Sequence, residues 1–139
     1  MFATASRSNV SQHQAGVYRQ VHVSSGVMGA SPHGLIGMLF DGLLGALAEA
    51  RGAIRSRNIA AKGKAIGRAV RILDEGLSAA LDLEQGGTLA ADLRALYGYV
   101  ALRLTHANLH NDEAALEECV HLIEPLRSGW AAIADHPGT

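Results

Sequence analysis

From about Pro32 onward, apolar residues recur at the three- and four-residue spacing of an α-helix in four successive segments, and this rhythm narrows the fold more than any other feature. The first segment runs from about Pro32 to Ile54. The second runs from about Ile59 to Leu83, with Ile59, Ile66, Val70, Leu73, Leu77 and Leu81 on one stripe and Gly86-Gly87 as its stop signal. Thr88 is the expected N-cap of the third, whose stripe is Leu89, Leu93, Leu96, Tyr97, Val100, Leu104 and Ala107. Asn111 or Asp112 caps the fourth, which carries Leu116, Val120, Ile123, Leu126, Trp130 and Ile133 and is followed by Pro137. Each helix is roughly 20–25 residues long, or ~30–37 Å at 1.5 Å per residue. The connections are short, on the order of four to six residues, which favours antiparallel neighbours. Strand alternation is nearly absent. The expected fold is all-α, an antiparallel four-helix bundle over residues 32–136 with a flexible N-terminal arm. Pro125 lies inside the fourth segment, where it removes a backbone donor and is expected to kink the helix.

The N-terminal part has a different character. Residues 1–16 are rich in Ser, Gln, Asn and Ala and read as a disordered tail. Residues 17–31 carry Val17, Tyr18, Val21, Val23, Val27 and Met28 and read as an arm or cap lying on the main body. The whole chain has 139 residues, enough for one domain with a real core. Its net charge of −1 argues against the strongly basic face of a nucleic-acid binder. No secretory signal is visible, and no apolar run is read as reaching the ~18–20 residues of a membrane span. The single Cys119 excludes an internal disulfide and suits a reducing compartment, so a cytoplasmic location without membrane insertion is expected.

The first helix is unusual. Ser31 is a good N-cap and Pro32 suits the first turn. Then come Leu35, Ile36, Met38, Leu39, Phe40, Leu43 and Leu44 with one charge, Asp41, before Glu49. Gly34, Gly37, Gly42 and Gly45 each cost roughly 1 kcal/mol of helix propensity relative to Ala. On a helical wheel the apolar face covers about half the circumference, whereas a helix on a globular core needs a stripe of roughly 100°. Two readings follow: a central helix touching two neighbours and the arm, or a helix whose spare apolar edge is a groove for another chain.

Catalytic signals are weak. His106 and His110 have the i, i+4 spacing of a zinc helix, but Ala107 stands where the general base would be. Cys119 lies beside a core stripe with no base in view and reads as a structural thiol. Gly86-Gly87-Thr88 lacks the lysine and strand of a phosphate loop. Lys62, Lys64, Arg68 and Arg71 form either a solvated face or a recognition patch for an acidic partner. No catalytic, cofactor or metal site is expected.

Several stretches together resemble a known family. ASPHGLIGMLFDG, from Ala30 to Gly42, resembles the signature ASPxxLIxMLxDG of the flagellin export chaperones (FliS). KGKAIGRAVRILDEGL from Lys62, LDLEQGGTLA from Leu81 and LYGYVALRLTHAN from Leu96 resemble later parts of that family, and Tyr18 resembles its arm tyrosine. The resemblance covers about residues 17–133, with Gly37, Gly98 and Pro125 as departures. It implies a non-enzymatic cytoplasmic chaperone that binds the C-terminal segment of flagellin, prevents premature polymerisation and helps deliver it to the flagellar type III export gate. The candidate partner-binding residues are Tyr18, Val21, Ile36, Phe40, Leu44, Tyr97 and Tyr99. Phe40 and Leu44 also fit a plain core. Tyr97 and Tyr99 point about 200° apart on a helix, so one of them belongs on a surface. Two alternatives remain: a helical-bundle regulator that binds another flagellar protein, and a small metal-dependent enzyme using His106 and His110.

Overall fold

The computed structural model describes residues 30–133. The expected tail and arm, with Tyr18 and Val21, lie outside the described residues. The chain divides into two compact units between Leu35 and Ile36. In the described part of the first, the Ser31 hydroxyl accepts the backbone N–H of Gly34 at 3.1 Å, so the expected N-cap is formed.

The second unit is the bundle. Helix α1 spans Pro32–Arg55; α2 spans Ile59–Arg71 and continues as a π-helical segment, Ile72–Ser78; α3 spans Leu83–His110; and α4 spans Glu113–Ala132. No strand occurs among the described residues. Each junction has its own chemistry. Arg57 ends α1 in the left-handed region (φ 58°), with Asn58 N–H returning to the Ala53 carbonyl and Arg57 N–H to that of Ile54. The Asn58 side chain then accepts from Ala61 N–H to open α2. Asn111, at φ 53°, closes α3, and the Asp112 carboxylate accepts from Ala115 N–H to open α4.

Side-chain rungs fix the topology. Glu49 pairs with Arg68 at 2.9 Å, tying α1 to α2. Lys62 of α2 reaches the end of α3, donating to the Asn108 carbonyl at 2.8 Å and to Asn111 Oδ1 at 2.6 Å. Arg103 of α3 pairs with Glu118 of α4 at 2.8 Å. Arg127 of α4 returns to Asp41 of α1, also at 2.8 Å. In the last three of these pairings an early residue of one helix meets a late residue of the other, and the tight turn at Arg57–Asn58 reverses the chain between α1 and α2. The four helices therefore alternate in direction around a square, with α1 and α3 on one diagonal. This is the expected antiparallel four-helix bundle.

The core is the inner seam of that square. Leu43 and Leu47 of α1, Leu73 of α2, Val100 and Leu104 of α3, and Leu116, Cys119 and Ile123 of α4 are fully buried. Burying such a side chain is worth roughly 1.5–3 kcal/mol. Cys119 is a core thiol whose pKa burial pushes up to about 11.

Three expectations need correction. The second helix does not reach Leu83; it turns after Ser78, and Asp82 caps the next element by accepting from Glu84 and Gln85 N–H. Gly86-Gly87 is therefore a break inside α3 rather than the stop of α2. Gly87 takes φ 55°, ψ −131°, a conformation reserved for glycine, and a Cβ on Gly86 would lie 2.7 Å from that of Ala90. Thr88 follows the break without a side-chain cap bond. Finally, α1 is long and apolar enough by length and composition to cross a membrane, because its glycines and alanines extend the run. Here its Phe40, Leu43, Ala46, Leu47, Ala50 and Ala53 face the core, and Asp41, Glu49 and Arg51 engage neighbouring helices. Pro125 is exposed, and α4 continues through it.

Candidate partner-binding site

Helix α1 has more apolar surface than its core seam consumes. At about 100° per residue, Ile36, Phe40 and Leu44 form a ridge on the side of α1 that turns toward α4. Phe40 is buried in the core cluster, while Ile36 and Leu44 are half-buried and pack against it. Beyond Leu44 lies an open groove of about 500 Å³ between α1 and α4, lined on α1 by Leu44, Leu47, Ala48, Arg51, Gly52 and Arg55 and on α4 by Leu116, Val120 and Glu124.

The floor of this groove is aliphatic and its lips are charged. Arg51 pairs with Glu113 and Glu117 at 3.0 Å each, and Arg55 also pairs with Glu113. The hydrogen bond from Arg55, then that from Arg51, holds the Glu113 carboxyl below its ordinary range, and Glu113 in turn raises the Arg55 pKa. At the other end Glu124 pairs with Arg127 at 3.3 Å. The cations are thus held against α4, leaving Leu44 and Val120 as the accessible apolar surface between them, above the buried Leu47 and Leu116.

The glycines of α1 find their explanation here. A Cβ added at Gly45 or Gly52 would meet nothing within 4 Å, so neither is needed for packing inside the bundle. Of the two, Gly52 lines the groove, and with Ala48 it makes the edge low enough for another backbone to come close. At 100° per residue the sequence puts Gly45, Ala48 and Gly52 on the half of the wheel away from the core. It did not connect them with Leu116 and Val120, which pattern alone assigned to the core stripe of α4. The signal was present: small residues at 45, 48 and 52 share one face and adjoin Leu44.

The two tyrosines of α3 separate as their spacing requires. Tyr97 is 3% exposed and Tyr99 is 44% exposed. Burial raises the pKa of the Tyr97 hydroxyl. The Tyr99 hydroxyl donates to Glu118, which also accepts from Arg103, so Tyr99 is anchored to α4 and keeps an exposed ring. The Tyr99 bond, followed by that from Arg103, lowers the Glu118 pKa. The structure therefore brings Ile36, Phe40 and Leu44 together on α1 but leaves Tyr97 and Tyr99 on the diagonally opposite helix.

The two histidines near the end of α3 have ring centroids 4.5 Å apart with their planes tilted by 46°, and His106 Nε2 lies 3.1 Å from the capping carboxylate of Asp112. The backbone N–H of Ala115 is the chief cause that lowers the Asp112 pKa. Among the described residues no three His, Cys, Asp or Glu side chains converge as metal ligands would.

Comparison with known proteins gives a family. Residues 14–137 match the family described as flagellar protein FliS. The flagellar secretion chaperone FliS of Salmonella typhimurium is 47% identical over 117 residues, covering 84% of this chain and 87% of that protein. Flagellar secretion chaperone FliSB of Pseudomonas aeruginosa is 44% identical over 117 residues, with 84% and 92% covered. FliS of Escherichia coli is 41% identical over 113 residues, with 81% and 83% covered.

Proposed function

This chain belongs to the FliS family of flagellar secretion chaperones, and from that membership we propose that its cargo is flagellin, held by the flagellin C-terminal segment in the cytosol until delivery to the type III export apparatus. Such a family is one of carriers rather than enzymes. The observation that carries the finer reading is the open α1/α4 groove, with its aliphatic floor and low glycine-alanine edge.

A cargo segment destined for helical packing has apolar stripes with nothing to bury them before assembly. A groove floored by Leu44, Leu47, Leu116 and Val120 supplies that cover. Ile36 extends the same ridge by two helical turns, across the buried Phe40, and the exposed ring of Tyr99 offers a second contact elsewhere on the bundle. Coupled folding and binding lets a long segment wrap a large surface while the ordering cost keeps affinity moderate, which suits a carrier that must release its load.

Calorimetric titration with peptides from the two ends of flagellin tests the proposal. Saturable binding of the C-terminal peptide alone, with a negative heat-capacity change, is the expected result. Binding of neither peptide would overturn it and leave the bundle as a binder of another flagellar protein.

A further inference from the structure

The side of the bundle away from the α1/α4 groove is formed by α2 and α3, and it holds an unusual combination of side chains. Ile59, Leu109 and Leu102, at 75%, 74% and 71% exposed, are the most exposed large apolar side chains among the described residues. Ile59 and Leu109 lie toward the same end of the bundle, the end where Lys62 meets Asn108 and Asn111. Between the helices the surface is floored by small residues. A Cβ at Gly63 or Gly98 would meet nothing within 4 Å, and one at Gly67 would meet only the Arg71 guanidinium at 3.6 Å.

The near lip of this surface is cationic. Lys64 and Arg71 are spaced seven residues apart, so they line one outward stripe of α2 about 10 Å long. Both are exposed, and Arg57 is a further exposed cation in the turn before α2. Arg68 leans the other way, onto Glu49 of α1. The carboxylates nearest the stripe, Asp74 and Glu75, sit beyond its Arg71 end, where Arg94 of α3 is also exposed. The far lip is the apolar row of α3, Leu102 and Leu109.

We propose that this α2/α3 face docks an amphipathic helix of a protein partner, with the partner's apolar side chains on Ile59, Leu102 and Leu109 and an acidic edge along Lys64 and Arg71. Charge complementarity selects the occupant. The chain's own residues 1–29 contain no Asp or Glu and bring Arg7 and Arg19, so they have the wrong sign. A second copy would present the same cationic row. The net charge of −1 gives the molecule no overall pull toward a nucleic acid or an anionic membrane, leaving a local match to a short acidic edge. The glycine floor lets that helix approach closely enough for both rows to engage. The inference does not rest on the flagellin reading, since it concerns the opposite side of the bundle.

The test uses the full chain and a fluorescent helical peptide of about 21 residues, a length of ~31 Å, with leucines along one face and glutamates along one edge. Saturable anisotropy is expected, weakened about tenfold by Lys64→Glu with Arg71→Glu and by raised salt. Loss is also expected in Leu102→Ser with Leu109→Ser, a pair of exposed sites whose fold is checked by circular dichroism. Equal binding of a twin peptide carrying lysines for glutamates would overturn the proposal. So would peptide binding that survives both double variants but is lost in Ala48→Glu, which would place the peptide in the α1/α4 groove. Dimerisation in sedimentation that disappears with the leucine variant would assign the face to a second copy. Co-sedimentation with phosphatidylglycerol vesicles, abolished by the charge variant in the absence of peptide affinity, would assign it to a membrane.

Discussion

Leu39 of α1 and Gly76 of the π-helical segment meet so closely that a Cβ at position 76 would lie 3.1 Å from both δ-carbons of Leu39. That is tighter than a Cβ ordinarily packs. Gly76→Ala forces Leu39 to move and is expected to destabilise the bundle by about 1–3 kcal/mol, the usual range for overpacking. Gly45→Ala and Gly52→Ala meet no such neighbour, so each is expected to stabilise by up to ~1 kcal/mol through helix propensity. Urea melts of the three variants check both signs. Restoration of stability in Leu39→Ala with Gly76→Ala, relative to the sum of the single changes, would identify this contact as the cause. A Gly76→Ala protein as stable as the parent would show that Leu39 has room to yield.

The fold was legible where the sequence obeyed one rule at a time. The core leucines at 43, 47, 73, 104 and 116 and the opposite fates of Tyr97 and Tyr99 follow from a 3.6-residue period, and the Ser31 cap follows from its hydroxyl standing just before Pro32. The misreadings arose where two signals overlapped. Gly86-Gly87 is a strong helix stop, and it masked the quieter pattern of Asp82 followed three residues later by Gln85, which is where α3 begins. The π-helical turn at Ile72–Ser78 left no mark in the apolar spacing, since Leu73 and Leu77 keep an ordinary helical interval. The groove was half legible. The surplus apolar face of α1 was evident, but its second wall comes from Leu116 and Val120, which only the packing of α4 brings alongside.

Lys62 is the one buried charged residue among those described, at 7% exposed. Its ammonium donates to the Asn108 carbonyl and to Asn111 Oδ1, at the C-terminal end of α3 where a cation opposes the helix dipole favourably. Lys62→Met keeps the aliphatic stem and deletes both bonds. Because the acceptors stay behind with fewer partners, a loss of about 2 kcal/mol is expected. Chemical denaturation gives the magnitude, and hydrogen exchange should show the α3–α4 turn opening earliest. If exchange at Asn111 and Asp112 is unchanged, Lys62 does not hold that turn.

Acid should loosen the bundle through α4. Asp112, Glu113 and Glu118 all have pKa values below their ordinary range, the first chiefly through the Ala115 N–H, the second through Arg55 and Arg51, the third through Tyr99 and Arg103. The unfolded chain binds protons more readily than the folded one at these sites. Their contribution is therefore complete above the unfolded carboxylate pKa of about 4 and fades as pH falls through the lower folded values. The melting temperature is expected to be flat from pH 7 to about pH 5 and to drop below pH 4. Glu118→Gln should start lower at neutral pH and fall less steeply in acid. An identical acid slope in that variant would remove Glu118 from the account.

Ala48 gives the cleanest access to the groove, since it lines the opening, is exposed and belongs to no ion pair. Ala48→Glu places a carboxylate over Leu44 and Val120 while remaining solvated in the free protein, so the melting temperature should move by little. In the complex that carboxylate must be desolvated against an apolar cargo, or else hold the cargo away from the floor. The affinity for the flagellin C-terminal peptide is expected to fall by about tenfold or more, a change of roughly 1.4 kcal/mol. Ala48→Ser, small and neutral, should bind as the parent does, which separates loss of the apolar surface from a general effect of substitution at this site. If Ala48→Glu binds the peptide with unchanged affinity, the cargo does not occupy the α1/α4 groove. The exposed ring of Tyr99 would then be the next surface to probe, through Tyr99→Ser.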